Sequence, residues 1–144
     1  MPLLHKKIQI VTYTLEQEDL WILLFKTNKK RGNFWQNITG SVETTEDPFD
    51  AAWREAQEET GFSLAQNNLK DLHYSFSFLD KKKNKNFTEY VFALPLEHKK
   101  TPTLDPNEHE DFKWVLSRDI TTKTYYHSSN YEAYVKTLLF LESY

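Results

Sequence analysis

The sequence contains no cysteine, which excludes a disulfide framework, a thiolate zinc site and a cysteine nucleophile. It also lacks a long hydrophobic run, since no apolar stretch approaches the roughly 18 residues of a membrane span, and we expect no membrane partner. The first seven residues lack the apolar core of a secretory signal, so a cytoplasmic protein is predicted. Any metal must therefore be bound by oxygen or imidazole ligands.

A strong charge imbalance is also missing. The 144 residues include 18 Lys and Arg against 21 Asp and Glu, a formal net charge of −3. This balance argues against a broad nucleic-acid footprint, so duplex nucleic acid is not an expected partner. Hydrophobic residues make up 39% of the chain, enough for one compact core. No shift in composition marks a boundary, and we expect a single domain over residues 1–144.

Hydrophobic periodicity predicts a sheet. Apolar and polar residues alternate over residues 8–13, which predicts a half-buried strand, whereas the continuous apolar run at 21–25 predicts a buried one. Residues 72–78 alternate again, and a Lys- and Asn-rich hairpin tip at 80–86 connects them to a partner strand at 87–96. A last short strand is expected at 112–116.

Two helices are predicted between and after these strands. Asp47 as N-cap and Pro48 at the first helical position begin the first helix, and Gly61 ends it. Ser129 and Glu132 have the spacing of a capping box that begins the second. Its expected packing face consists of Tyr131, Val135, Leu138, Leu139 and Phe140. Strands interleaved with only two helices predict an α+β or α/β sandwich with a mixed, mainly antiparallel sheet.

Acidic residues are concentrated in residues 40–62, which read GSVETTEDPFDAAWREAQEETGF. At 100° per residue, Glu55 and Glu59 lie one turn apart beside the apolar stripe of the first helix, and Glu58 lies nearer to solvent. Such like charges cost a few tenths of a kcal/mol per pair, so a bound cation gives a reason for them. Mg²⁺ suits carboxylate oxygens better than zinc does. The alternative is a helical face that is merely solvated.

The same segment resembles the Nudix box, G-x5-E-x7-R-E-U-x-E-E-x-G-U, where U is aliphatic or aromatic. All seven fixed positions match, at Gly40, Glu46, Arg54, Glu55, Glu58, Glu59 and Gly61. The resemblance implies a Nudix-type α/β/α sandwich and a pyrophosphohydrolase that uses Mg²⁺, with Mn²⁺ as a substitute. It implies metal binding by Glu55, Glu58, Glu59 and the Gly40 carbonyl, with Arg54 orienting the carboxylates. The catalytic set is then Arg54, Glu58 and Glu59, and the general base stays open between the two glutamates.

Three further segments resemble the bacterial branch of that family that cuts dihydroneopterin triphosphate to the monophosphate and pyrophosphate. They are FWQNITGSVE at 34–43, EHEDFKW at 108–114 and TKTYY at 122–126. This resemblance implies that Glu108 is an additional metal ligand and that Thr39 and Thr124 contact substrate. Lys6, Lys7 and Lys26 are candidate phosphate contacts, and Trp35 is a candidate stacking partner for a pterin or purine. An arginine that the branch has near the end of the second strand has no clean equivalent here.

Several alternatives stay open at this point. The alternative for Glu108 is an exposed loop acid, Thr39 and Thr124 are equally turn residues, and an aromatic pair such as Phe34 and Trp35 is more often part of the core. The expected partner is a small nucleotide or pterin triphosphate, and the oligomeric state is not predicted. The alternative activities are a general (d)NTP or RNA 5′-end pyrophosphohydrolase and, more remotely, a ligand-binding module without catalysis.

Overall fold

The structure, a computed structural model, describes residues 5–143. Within them, seven strands form one sheet and two α-helices pack against it. The elements are β1 (His5–Glu16), β2 (Asp19–Thr27), β3 (Trp35–Gln36), β4 (Ile38–Ser41), α1 (Pro48–Thr60), β5 (Lys70–Asp80), β6 (Lys85–Leu96), β7 (His109–Leu116) and α2 (Ser128–Glu142). In this part of the chain, neither helix is long and apolar enough to cross a membrane.

The sheet is mixed and mainly antiparallel, as predicted. Its strands follow the order β3-β2-β1-β6-β5, with β4 on β1 and β7 on β2 as additional pairs. The β1–β6 pair is parallel, and the other pairs are antiparallel. The Lys-rich segment is the tip of the β5–β6 hairpin, also as predicted. β1 therefore lies at the centre, where β6 flanks one edge and β4 and β2 share the other.

The prediction that the first strand is half-buried is wrong, because both faces of β1 are covered. All residues from Ile8 to Thr14 are buried. Ile8 and Ile10 belong to the core under α1, whereas Val11 and Tyr13 belong to the core under α2. Helices on both faces of the sheet remove the solvent face that the alternating pattern suggested, and the result is an α/β/α sandwich.

The boundaries predicted for α1 are confirmed. The Asp47 side chain accepts a hydrogen bond from the Asp50 backbone N–H at 2.9 Å, and Gly61 has the left-handed φ of +74° that favours glycine after a helix. The buried residues of α1 are Ala51, Ala52, Ala56, Glu59 and Thr60. Glu59 is therefore buried against the sheet together with the apolar stripe.

The start and the packing face predicted for α2 need correction. The helix begins at Ser128 after His127, without a side-chain cap, so Ser129 is not the N-cap. Tyr131, Val135 and Leu138 pack against the core as predicted, whereas Leu139 is 52% exposed. The buried positions are Asn130, Ala133, Tyr134 and Thr137. Hydrogen bonds to other parts of the chain stabilise this orientation of α2. Asn130 accepts one from the Asn37 backbone N–H, and the Tyr134 hydroxyl donates one to the Ser117 carbonyl.

Candidate active site

Gly40 lets a carboxylate of α1 approach the backbone of β4. A Cβ atom at position 40 would lie 2.4 Å from Cδ of Glu55 and 2.7 Å from its Oε1. A Cβ atom here would force the Glu55 side chain to shift, so the close approach, and not the backbone angles, accounts for the glycine. The Glu55 carboxyl and the β4 backbone, including the Gly40 peptide, therefore form one face of the site.

Arg54 organises the carboxylates around it. Its guanidinium donates to Glu46 through Nε at 3.2 Å and Nη2 at 2.6 Å, a bidentate pair. Nη1 donates to Glu55 at 3.0 Å and to Glu58 at 3.2 Å, and Nη2 also donates to the Ser41 carbonyl at 3.1 Å. The hydrogen bonds from Arg54 hold the pKa of Glu46 below its ordinary value. Arg54 thus joins α1 to β4 and to the loop that precedes the helix.

Glu59 is buried against β7. Its side chain lies beside His109, with Oε2 2.8 Å from Nδ1, and the two residues are 5% and 1% exposed. This distance is that of an ion pair, but neither atom has a hydrogen-bond partner within residues 5–143. Gln36 Nε2 lies 3.2 Å from Nε2 of His109, which favours the tautomer with its proton on Nδ1. The sequence analysis missed His109, although the histidine in EHEDFKW was a signal for it.

The carboxylates are suited in chemistry and placement to a divalent cation. The pKa of Glu55 is raised to about 7, chiefly by burial and also by the charges of Glu59 and Glu58, against the lowering effect of Arg54. The buried Oε2 of Glu59 lies 2.8 Å from Nδ1 of His109 but forms no well-aligned hydrogen bond within residues 5–143. No three carboxylate or imidazole groups of the described chain already form a metal cluster, and Arg54 instead bridges Glu55 and Glu58. Arg54 engages one oxygen of each of these two carboxylates, which leaves the other oxygen of each for an ion.

Glu108 is paired with an arginine from another part of the chain. It forms a salt bridge with Arg31 just before β7 begins, and its side chain is 41% exposed. The residue of this segment that contacts α1 is its neighbour His109. The proposed role of Glu108 as a metal ligand stays a prediction, since it requires the Arg31 pair to open.

Lys7 and Thr39 lie together on the side of the sheet opposite α1. Lys7 is in register with Ser41 on one side and Glu89 on the other, and Thr39 is paired with Gln9. Side chains alternate along a strand, so these odd-numbered positions face away from the α1 core that holds Ile8 and Ile10. The Gly40 backbone and the Lys7 side chain therefore lie at neighbouring register positions.

The other candidate substrate contacts, Lys26, Trp35 and Thr124, lie on β2, on β3 and in a turn. Lys26 is paired with Trp35 across β2 and β3. The Trp35 ring packs against the α2-side core, with Lys113 Nζ 4.1 Å from its centroid. Thr124 Oγ1 accepts a hydrogen bond from the Thr121 backbone N–H at 2.9 Å, as a turn residue does. A cavity of about 450 Å³ beside the box is lined by residues that include Lys6, Glu43 and Glu46.

The substitution Gly40→Ala is expected to lower kcat on the order of 10²-fold, because the new Cβ displaces the Glu55 carboxyl and a shift of about 1 Å is enough for such a loss. Steady-state kinetics and a melting curve on the same preparation measure the effect. Ser63→Ala, an exposed change just after α1, serves as the control and should leave kcat unchanged. A folded Gly40→Ala variant with normal turnover would show that the close approach has no catalytic role.

Comparison with known proteins is consistent with this geometry. The sequence profile of the NUDIX domain matches residues 4–136. The chain is 30% identical over 146 residues to the dihydroneopterin triphosphate diphosphatase of Haemophilus influenzae, a match that covers 94% of the chain and 90% of that protein. It is also 34% identical over 94 residues to an octanoyltransferase of Myxococcus xanthus. That second match covers 65% of the chain but only 26% of the relative's length.

Solved structures share the fold. The Escherichia coli dihydroneopterin triphosphate pyrophosphohydrolase superposes with a TM-score of 0.79 at 24% identity, covering 93% of this chain and 94% of that one. An Ap4A hydrolase of Caenorhabditis elegans, solved as a binary complex, superposes with a TM-score of 0.74 at 22% identity, covering 97% and 99%. At these identities the similarity is one of fold, and it confirms the predicted α/β sandwich.

Proposed function

The chain belongs to the Nudix hydrolase family, and from that premise we propose that it hydrolyses dihydroneopterin triphosphate to the monophosphate and pyrophosphate, with Mg²⁺ as cofactor. The observation that carries the reaction class is the complete carboxylate set of α1, ordered by Arg54 against β4. The substrate rests on the match to the H. influenzae diphosphatase along nearly the whole chain. An intact set of acids argues against a module that only binds ligand.

Each acidic residue has a role in this proposal that follows from its surroundings. Glu55, Glu58, Glu59 and the Gly40 carbonyl would hold the cation, with Glu108 as a further ligand once it leaves Arg31. When bound, a divalent cation neutralises the phosphate chain and polarises the attacking water. Arg54 keeps the carboxylates oriented, and Glu46 in turn holds Arg54.

The reaction consumes one water and needs no covalent intermediate. The water oxygen bonds to a phosphorus atom, one P–O–P linkage breaks, and a carboxylate accepts the proton that the water loses. Glu58 is 57% exposed and therefore open to water, whereas Glu59 is buried beside His109. We keep both as candidates for the base, because neighbouring carboxylates titrate as a coupled set.

Lys7 and Thr39 are the proposed substrate contacts, since both lie near the box on β1 and β4. The ammonium of Lys7 would offset phosphate charge from β1, and that of Lys26 would do so from β2. We leave Trp35 and Thr124 outside the proposed contacts, because the Trp35 ring packs between Lys113 and the core and the Thr124 hydroxyl closes a turn.

A side-by-side assay of purified protein with Mg²⁺ tests the substrate. We expect kcat/KM for dihydroneopterin triphosphate to exceed that for dATP and dGTP by about tenfold or more, because a few buried hydrogen bonds worth about 1 to 3 kcal/mol each decide between such rings. The panel also includes a dinucleoside polyphosphate and triphosphorylated RNA. Any of these substrates turning over about tenfold faster than the pterin compound would overturn the substrate assignment.

A further inference from the structure

A relay of buried hydrogen bonds crosses the sheet on the face opposite α1. Gln9 Nε2 donates to Glu89 Oε2 at 2.7 Å, and Asn37 Nδ2 donates to Gln9 Oε1 at 2.8 Å. Asn37 is held in turn by the Tyr125 hydroxyl, which donates to its Oδ1 at 3.2 Å, and by Asn130. Because the Gln9 oxygen is occupied by Asn37, its amide nitrogen must point to Glu89. The relay therefore fixes one oxygen of Glu89 in place.

The carboxylate at the end of this relay lacks a full set of partners. Glu89 is 6% exposed, and burial raises its pKa to about 6, so it is mostly ionised at neutral pH. Among residues 5–143, Gln9 donates to Oε2 and nothing donates to Oε1. The fully buried unpaired side-chain atoms of this region are Thr12 Oγ1, Glu59 Oε2 and His109 Nδ1, so Oε1 of Glu89 keeps contact with solvent. This oxygen is therefore open to a donor that replaces the solvent.

Glu89 lies in the same row of paired residues as β4, the strand that contains the first residues of the Nudix box. Lys7 on β1 is in register with Ser41 of β4 and with Glu89 of β6, so these positions form one row across three strands. Neighbouring strands are about 4.8 Å apart, which places Glu89 about 10 Å from the β4 backbone. That separation is comparable to the reach from a heterocycle to its phosphate chain. Lys7 is the central and positively charged residue of this row, and its Nζ lies 4.8 Å from the centroid of the Phe87 ring.

We infer that Glu89 binds the heterocycle of the substrate, accepting hydrogen bonds from an edge on which a ring N–H stands beside an exocyclic amine. An ionised carboxylate only accepts; Oε1 is free, and Oε2 has a second lone pair besides the one that accepts from Gln9, so the group fits two parallel N–H donors. The 2-amino-4-oxopyrimidine edge of pterins and guanine has this pattern. Adenine presents one amine beside a ring nitrogen that is itself an acceptor, so it repels the second oxygen. This inference rests on the proposed function for the position of the phosphates, and it assigns Glu89 as the residue that selects the ring.

The substitution Glu89→Gln tests it with little change of shape. The new carbonyl still accepts from Gln9, but an amide NH₂ replaces the free acceptor and meets the donors of the ring. We measure dissociation constants for dGTP and dATP by isothermal titration in EDTA, so that no hydrolysis occurs. The preference for dGTP over dATP is expected to fall about 10- to 100-fold, the loss typical of an unpaired buried hydrogen-bonding group.

Two further variants keep the result interpretable. Glu97→Gln, an exposed change just beyond β6, should leave the preference unchanged. Glu89→Asp keeps the charge but withdraws it by one methylene, so it should also reduce the preference and replaces the Gln variant if that variant does not fold. A purely structural role for Glu89 weakens both ligands by the same factor, and an unchanged preference in the folded Gln or Asp variant overturns the inference. The substrate assignment fails separately, because only the kinetic panel on the unaltered chain tests it.

Discussion

Glu59→Gln is expected to lower kcat by at least about 10²-fold while the protein stays folded, because it removes a charge that the transition state needs and keeps the size of the side chain. Glu59 is 5% exposed, its Oε2 has no hydrogen-bond partner in the described chain, and it lies beside the core stripe of α1. Steady-state kinetics at saturating substrate give the change in kcat, and circular dichroism shows that helix and sheet persist.

The matched control is Glu110→Gln, an exposed acid on β7 to which the resemblance assigns no role, and it should change kcat little. Near-normal turnover in a folded Glu59→Gln variant would remove Glu59 from the catalytic set. An equal loss at Glu110 would instead show that the register assigned to the segment around Glu108 is wrong.

Removal of divalent metal by EDTA is expected to abolish activity, and added Mg²⁺ should restore it. Without a cation, the negative charges of Glu55, Glu58 and Glu59 face a negatively charged phosphate chain with Arg54 as the cation among them. Thermal stability should change only modestly, because buried Ala51, Ala52 and Ala56 anchor α1 to the sheet independently of metal. Turnover and melting temperature are measured on the same samples before and after chelation.

Activity that survives complete metal removal would contradict this account of the carboxylates. Unfolding of the metal-free chain would show that α1 depends on the ion for its structure as well as its chemistry. Mn²⁺ in place of Mg²⁺ should also restore turnover, since both ions accept carboxylate oxygens as ligands.

Local interactions explain why the sequence predicted α1 and its box so closely. Asp47 caps the helix through a bond to a residue three positions away, and Gly61 ends it by its own backbone angle. The positions of Glu55 and Glu59 beside the apolar stripe follow from helical periodicity alone. The requirement for a glycine at position 40 was visible as a motif, but its reason, the approach of Glu55, became clear only in the folded chain.

Contacts between distant parts of the chain account for what the sequence analysis missed. Gln9 and Glu89 are 80 residues apart and meet because β1 and β6 pair in parallel. The same pairing buries β1 on both faces, which a pattern of alternation read one strand at a time does not reveal. His109 contacts Glu59 because β7 pairs with β2 in the folded sheet. The orientation of α2 likewise depends on a distant contact, since Asn130 accepts a hydrogen bond from the Asn37 backbone N–H.

A phosphorus-31 NMR time course with Mg²⁺ and dihydroneopterin triphosphate tests the central claim most directly, because it identifies the broken linkage and the products together. Metal-dependent pyrophosphohydrolysis predicts equal amounts of pyrophosphate and the monophosphate, with no orthophosphate at early times and no signal change in the Glu59→Gln sample over the same interval. Stepwise appearance of orthophosphate, or the same products at the same rate in EDTA, would contradict it.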